Sequence, residues 1–372
     1  MHGSKILTEA DRLMTVCNSC RYCEGLCAVF PAMEMRRAFS DGDLNYLANL
    51  CHACGACYTD CQFSPPHEFN VNVPQTLAIA RAESYAVYAW PRALSGLFSR
   101  NGVAISMIAA LSVATFIFGF AAANDARAMQ GIHTGPGAFY ALMPHNALAA
   151  LFSVAFLYAI VALIMGMRAF WRDIGAPAGM TTDAASLWQA IKDACTLRYL
   201  DGGGVGCFNK DDQPTDRRRI FHHFTFYGFL LCFAATSVAT LYHYLLAREA
   251  PYPWWDLPVV LGTLGGIGLV IGPVGLLLAK AQRDPVLVDS GSTGMDVAFI
   301  LMLLLASLTG LALLLLRDTS AMGPLLALHL GVVFALFITL PYGKFVHGLY
   351  RFVALMRYAM ERRAMAQGTA TE

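Results

Sequence analysis

Six long apolar stretches dominate the chain, near residues 103–123, 145–169, 220–246, 257–279, 294–316 and 324–350. Each supplies the roughly 20 residues that a helix needs to cross a bilayer. The segment before them is patterned differently. Residues 1–61 carry apolar positions at helical spacing and show no strand-like alternation. Thr8 with Asp11 opens one helix, and Asp41 or Asp43 caps another that runs through Leu44, Tyr46, Leu47 and Leu50. Pro65, Pro66, Pro74 and Pro91 then break the pattern. An aromatic and basic stretch (Tyr85, Tyr88, Trp90, Arg92, Phe98, Arg100) precedes the first apolar run, as at a bilayer surface. The pattern predicts an all-α protein in four parts: a helical domain over 1–68, a linker with an interfacial helix over 69–102, a six-span transmembrane bundle over 103–350 with a loop at 170–219, and a basic tail over 351–372.

Composition supports this division. With 57% hydrophobic and 14% charged residues, the chain is more apolar than a soluble core of this size requires, so it is expected in a lipid bilayer. A net charge of +1 gives no nucleic-acid signature. Position matters more than sum. The 168–219 loop carries Arg172, Lys192, Arg198, Lys210, Arg217, Arg218 and Arg219, and the tail carries Arg351, Arg357, Arg362 and Arg363. The opposite loops offer Arg127, Arg248 and Arg317 alone. Because cytoplasmic loops retain Lys and Arg, both termini are expected in the cytoplasm. The amino terminus, MHGSKILTEADRL, has no apolar secretory core, which agrees.

Cysteine is where chemistry enters. Cys17, Cys20, Cys23 and Cys27 have the spacing C-x2-C-x2-C-x3-C, and Cys51, Cys54, Cys57 and Cys61 repeat it. Three thiolates around a tight turn suit one cubane, while the fourth points toward a neighbouring cluster, so two 4Fe-4S clusters are expected. If the ligands cross, Cys17, Cys20, Cys23 and Cys61 hold one cluster and Cys51, Cys54, Cys57 and Cys27 the other. Zinc and disulfide readings stand beside this one, although zinc pairs usually come as two distant C-x2-C units. Ala28 and Gln62 stand where proline commonly follows the fourth cysteine.

Histidines inside apolar spans need a reason, and haem ligation is a strong one next to clusters. His329 and His347 lie 18 positions apart, five turns of one continuous helix, and His222 and His243 lie three heptads apart. In antiparallel spans this pairs His222 with His347 at the cytoplasmic level and His243 with His329 at the outer level. Two b haems are expected, with one as the alternative. The competing reading is four polar helix contacts. His145 and His133, at the outer surface, are ligands or interfacial residues; His223 is an alternative ligand or a support for its neighbour. His2, His52 and His67 have no ligand pattern.

The remaining signals are weaker. Arg217, Arg218 and Arg219 read as the basic end of a span or as partners of haem propionates. Lys344, after Pro341 and Gly343, reaches the surface or faces a quinone or propionate. Gly202, Gly203, Gly204 and Gly206 lack the strand–turn–helix setting of a nucleotide loop. Cys195, Cys207 and Cys232 have no partner spacing, and Cys232 reads as a small core residue. No acid, base or nucleophile constellation and no flavin or nicotinamide fingerprint appears, so substrate oxidation belongs to another chain.

The paired cysteine runs, the second within CHACGACYTDCQF, and the segment RRRIFHHFTFYGFLLCFAATSVATLYHY together resemble the tricarballylate-utilisation protein B family, also called citrate-utilisation B proteins. The helical cluster segment is also similar to the all-helical ferredoxin domains of membrane quinone reductases, and the sixth-span spacing to the di-haem subunit of membrane nitrate reductases. The family resemblance implies a protein of the bacterial inner membrane that reoxidises the FAD of a partner flavoprotein dehydrogenase. Electrons would pass through the clusters and b haem to quinone. Two rival readings are a membrane-anchored redox sensor and a quinol-oxidising subunit feeding a cytoplasmic reductase.

Overall fold

The computed structural model describes residues 2–175 and 182–367. Five helices build the amino-terminal domain: α1 (Lys5–Cys20), α2 (Val29–Glu34), α3 (Asp41–Leu50), α4 (Ala56–Thr59) and α5 (Val73–Val87). Helix α1 begins earlier than the Thr8 signal suggests, because the Ser4 hydroxyl accepts from the Leu7 amide. Helix α3 is opened by neither candidate aspartate alone. Ser40 is the cap, and Asp43 reaches back to the Ser40 amide in a reciprocal box. Leu13, Leu44, Leu47 and Leu77 are essentially fully buried where α1, α3 and α5 meet. Each contributes roughly 1.5–3 kcal/mol. Residues 73–87, expected in a linker, are thus part of this domain, their helix docked on α1 and α3 through Leu77 and Ala80.

Six membrane-length helices follow: α6 (Asn101–Ala123), α8 (His145–Ile174), α10 (Arg217–Leu246), α11 (Leu257–Gln282), α12 (Thr293–Leu316) and α13 (Met322–Thr339), the last continuing through Tyr342 in a tighter turn. Between them lie the short α7 (Ala126–Gln130), then α9 (Ala184–Cys195) and a two-residue hairpin of β1 (Cys207–Phe208) with β2 (Pro214–Thr215). The protein is an all-α membrane protein with six candidate spans. Helices α10 and α11 approach most closely. A Cβ on Gly228 would lie 2.9 Å from the Gly265 carbonyl oxygen, so their backbones touch where a side chain would separate them.

The sixth span departs from the sequence reading. Pro341 withholds an amide and Gly343 is extended, so the helix stops and a separate one, α14 (Val346–Ala366), begins after the break. His329 and His347 therefore belong to different helices, and their five-turn spacing does not put them on one face. Residues 351–366, expected in a basic tail, form most of α14, which packs on α3, α8 and α9. Its Arg357 and Glu361 are buried in a four-membered ion network. Arg36 donates to Asp43 at 2.7 Å and to Glu361 at 2.5 Å, and Arg357 to Glu361 at 2.9 Å and to Asp43 at 3.1 Å. One apolar core runs from α1 through α3 to Phe170 of α8 and Tyr350 and Tyr358 of α14, so the first domain is fused to one end of the bundle.

Candidate redox site

The cysteine turns follow from local backbone geometry. Helix α1 ends when Arg21 adopts the left-handed conformation and its amide returns to the Cys17 carbonyl, which swings Cys23 back beside Cys17 and Cys20. In the second run Gly55, at φ +94°, turns the chain between Cys54 and Cys57; a Cβ there would also lie 2.7 Å from Leu287.

These turns gather the eight thiols around two hollows. Cys17, Cys20, Cys23 and Cys61 line the first, of about 270 Å³, with Phe63, Val71 and Asp60. Cys27, Cys51, Cys54 and Cys57 line the second, with His52, Pro74 and Tyr199. Phe30, Cys57 and Val73 border both, so the hollows share a wall. Cys20 is exposed and Cys51 buried, which places the first hollow outward and the second inward. All eleven cysteines are free, against a disulfide framework. Burial, with neighbouring thiolates, pushes Cys17 and Cys23 up to about 12, and burial pushes Cys54 up to about 11. Cys27 and Cys57 are raised by the same cause. Such thiols lose their protons only to a bound cationic group.

Beyond the second hollow lies a pair of histidines. The rings of His222 on α10 and His347 on α14 have centroids 6.0 Å apart and planes at 73°. His347 donates Nδ1–H to the Lys344 carbonyl at 2.5 Å, which leaves Nε2 as the acceptor nitrogen. The buried Nδ1 of His222 has no partner. Arg218 precedes His222 by four residues and Arg351 follows His347 by four, so each arginine shares a helix face with its histidine. Arg218 donates to the His52 carbonyl at 2.9 Å; Arg351 donates to the Leu50 and Cys51 carbonyls at 2.9 and 2.6 Å. The histidine pair is thereby clamped to the inner cysteine loop. His52, with no ligand pattern in the sequence, lies buried here, and burial beside these arginines holds its pKa well below the ordinary value.

At the other end of the bundle the structure corrects the expected pairing. His243 does not meet His329. It stacks on His145, with centroids 3.5 Å apart and planes at 18°, and Tyr140 and Tyr244 pack edge-on around them. The Nδ1 atoms of both His145 and His243 are buried without partners. His329 instead meets Thr309 of α12, Nδ1 to Oγ1 at 3.0 Å, in the space left by Gly310. The break after Thr339 frees α13 from the register that a continuous helix would impose. His133 bonds the Ala128 carbonyl and His223 packs against Tyr227, so neither joins a histidine pair.

Other residues singled out by the sequence find plainer places. Lys344 pairs with Asp296 at 2.8 Å, and Lys280 holds the other carboxylate oxygen at 2.7 Å. Arg219 pairs with Asp216 and Asp201. Cys232 packs against Gly265. Part of the 170–219 loop covers the inner hollow: the Phe208 amide donates to the Cys54 carbonyl at 2.8 Å, and Cys207 packs beside Cys54. Residues 176–181 of that loop and 368–372 of the tail lie outside the described residues. The covering loop and Arg81, Arg283 and Arg351 carry no spacing signal in the sequence; only long-range packing brings them to the cysteines.

Both parts of the chain have counterparts among known proteins. Residues 10–87 match the family described as citrate utilization protein B Fer4-like domain, and residues 99–368 match citrate utilization protein B. The chain is 52% identical over 368 residues to citrate utilization protein B of Escherichia coli, covering 97% of this chain and 95% of that protein. No solved structure matches. A Fer4-like domain joined to a six-helix membrane bundle gives the chain an iron–sulfur electron-transfer role. By both family matches and by a relative spanning nearly its full length, the chain belongs to the citrate utilization protein B family.

Proposed function

We propose that the protein is the membrane arm of a two-component oxidation system. It takes electrons from the reduced FAD of a cytoplasmic dehydrogenase acting on tricarballylate or a related tricarboxylate, and delivers them to membrane quinone. Cys17, Cys20, Cys23 and Cys61 hold the outer 4Fe-4S cluster, and Cys27, Cys51, Cys54 and Cys57 the inner one. His222 and His347 hold a b haem. The cofactors supply one-electron chemistry; the chain sets their order and surroundings.

One observation carries the reading: two cysteine-lined hollows share a wall at Cys57, and the loop of the inner one is clamped by Arg218 and Arg351, each on the helix face of His222 or His347. The inner pair suits a bis-histidine iron, because its rings stand apart and His347 presents Nε2. His145 and His243 are the better candidates for a second haem, since each has a buried Nδ1 without a partner while His329 is engaged by Thr309. Their stacked rings must part to admit an iron. The basic loop and α14 favour the cytoplasm for the cysteine end.

The test is direct. Purified protein is assayed for iron, labile sulfide and haem, then reduced by a dithionite-reduced flavoprotein dehydrogenase and mixed with a quinone analogue. Reoxidation of cluster and haem signals by the quinone is expected; signals that stay reduced overturn the relay.

A further inference from the structure

Four arginines converge on the inner cysteine loop, and none has a carboxylate partner among the described residues. Arg81 on α5 donates to the Cys51 carbonyl and Arg283, after α11, to the Ala53 carbonyl. Arg218 on α10 and Arg351 on α14 donate to the carbonyls of His52, Leu50 and Cys51. Elsewhere the shielded cations have carboxylate partners: Arg36 and Arg357 share Asp43 and Glu361, Lys280 and Lys344 share the one carboxylate of Asp296, and Arg317 lies 3.8 Å from Asp318. Thiols lie beside the collar, Cys51 at Arg351 and Cys54 and Cys207 at Arg283. The surroundings of the outer hollow are opposite in sign. No arginine lines either hollow, but the four arginines grip the backbone of the inner loop, whereas at the outer hollow Asp60 stands beside Cys23.

Like charges are gathered below the surface only where an anion compensates them. A cluster held by four thiolates is such an anion, and reduction adds one further negative charge to it. Burial alone opposes that electron; neighbouring cations favour it, and net charge is among the levers that set cluster potentials. We infer that Arg81, Arg218, Arg283 and Arg351 form a charge collar that makes the inner cluster the more readily reduced of the two, so that a single electron given up by the outer cluster moves inward to it. The electron donor is the partner's reduced flavin and the final acceptor is quinone; no bond is made or broken between the clusters. This rests on the electron-relay reading and adds to it the direction of flow and the residues that impose it.

The experiment is an EPR-monitored redox titration of the full-length protein, with the two signals assigned through Cys61→Ser and Cys27→Ser. The wild type is expected to show the inner midpoint above the outer one. Arg283→Gln and Arg351→Gln should each move only the inner midpoint to a more negative potential, Arg283→Lys should hold it near the wild-type position, and Asp60→Asn should raise only the outer one. Where Arg351→Gln does not accumulate, Arg81→Gln is read in the same way. Inner midpoints unmoved by loss of charge, or both midpoints moving together, overturn the collar while leaving the relay standing. Wild-type protein lacking iron and labile sulfide overturns both.

Discussion

The imidazoles of His222 and His347 meet with ring centroids 6.0 Å apart and planes at 73°, though 125 residues separate them in the chain and they lie on helices of different roles. Each helix carries an arginine four residues away that grips the inner cysteine loop. The cysteine domain and the histidine pair are thus one mechanical unit. The expected outcome is that His222→Ala and His347→Ala remove the same haem completely, with iron–sulfur content retained. Haem per polypeptide, measured by the pyridine method, checks it; a variant that keeps its full haem content shows that its histidine is no ligand.

A sharper result is expected at the far end. His145→Ala and His243→Ala should give identical losses in the reduced haem spectrum, whereas His329→Ala should leave the haem count untouched. The role of His329 is the hydrogen bond to Thr309 between α13 and α12. Its removal should cost about 0.6–2 kcal/mol, typical of interhelical bonds in membranes. Thermal unfolding in detergent gives that number, and haem loss on replacing His329 would restore the pairing first read from spacing.

Sequence made local chemistry legible and long-range geometry only partly so. The two cysteine runs announce themselves because cluster ligation needs several thiols within a few residues, and that demand is written in spacing. Six spans are visible because a bilayer needs unbroken apolar length. The pairing of His222 with His347 also followed from spacing, although the helix assumed to connect His329 to His347 is broken at Pro341 and Gly343. Pro341 is plain in the sequence, but a proline can kink a span or end it, and only packing of the following residues decides. Here α14 has Tyr350, Val353 and Ala354 to bury in the core of the cysteine domain. The collar was invisible for the same reason: its members lie between positions 81 and 351 and share no pattern.

The crossed arrangement of the thiols has its own signature. Cys61 lines the hollow of the first run and Cys27 that of the second. Cys61→Ser should therefore perturb the same EPR signal as Cys17→Ser, and Cys27→Ser the same signal as Cys51→Ser. Perturbation of the Cys17 signal by Cys27→Ser would mean that each run keeps its own cluster.

The last prediction concerns what fastens α14 to the cysteine domain. Arg36, Asp43, Arg357 and Glu361 form a neutral set of two cations and two anions, and Tyr46 donates its hydroxyl to Glu361 at 2.9 Å. Removing one member strands charge in a buried place, which typically costs about 3–5 kcal/mol, whereas replacing an entire pair by apolar residues of similar volume is often close to neutral. Glu361→Leu should accordingly destabilise the protein by that amount and release α14 to protease. The double replacement Arg357→Met with Glu361→Leu should recover most of the loss, because Arg36 and Asp43 still satisfy each other at 2.7 Å. Limited proteolysis and thermal unfolding of the two variants read the difference. Equal damage from both would mean that the network contributes through its individual hydrogen bonds and not through charge balance.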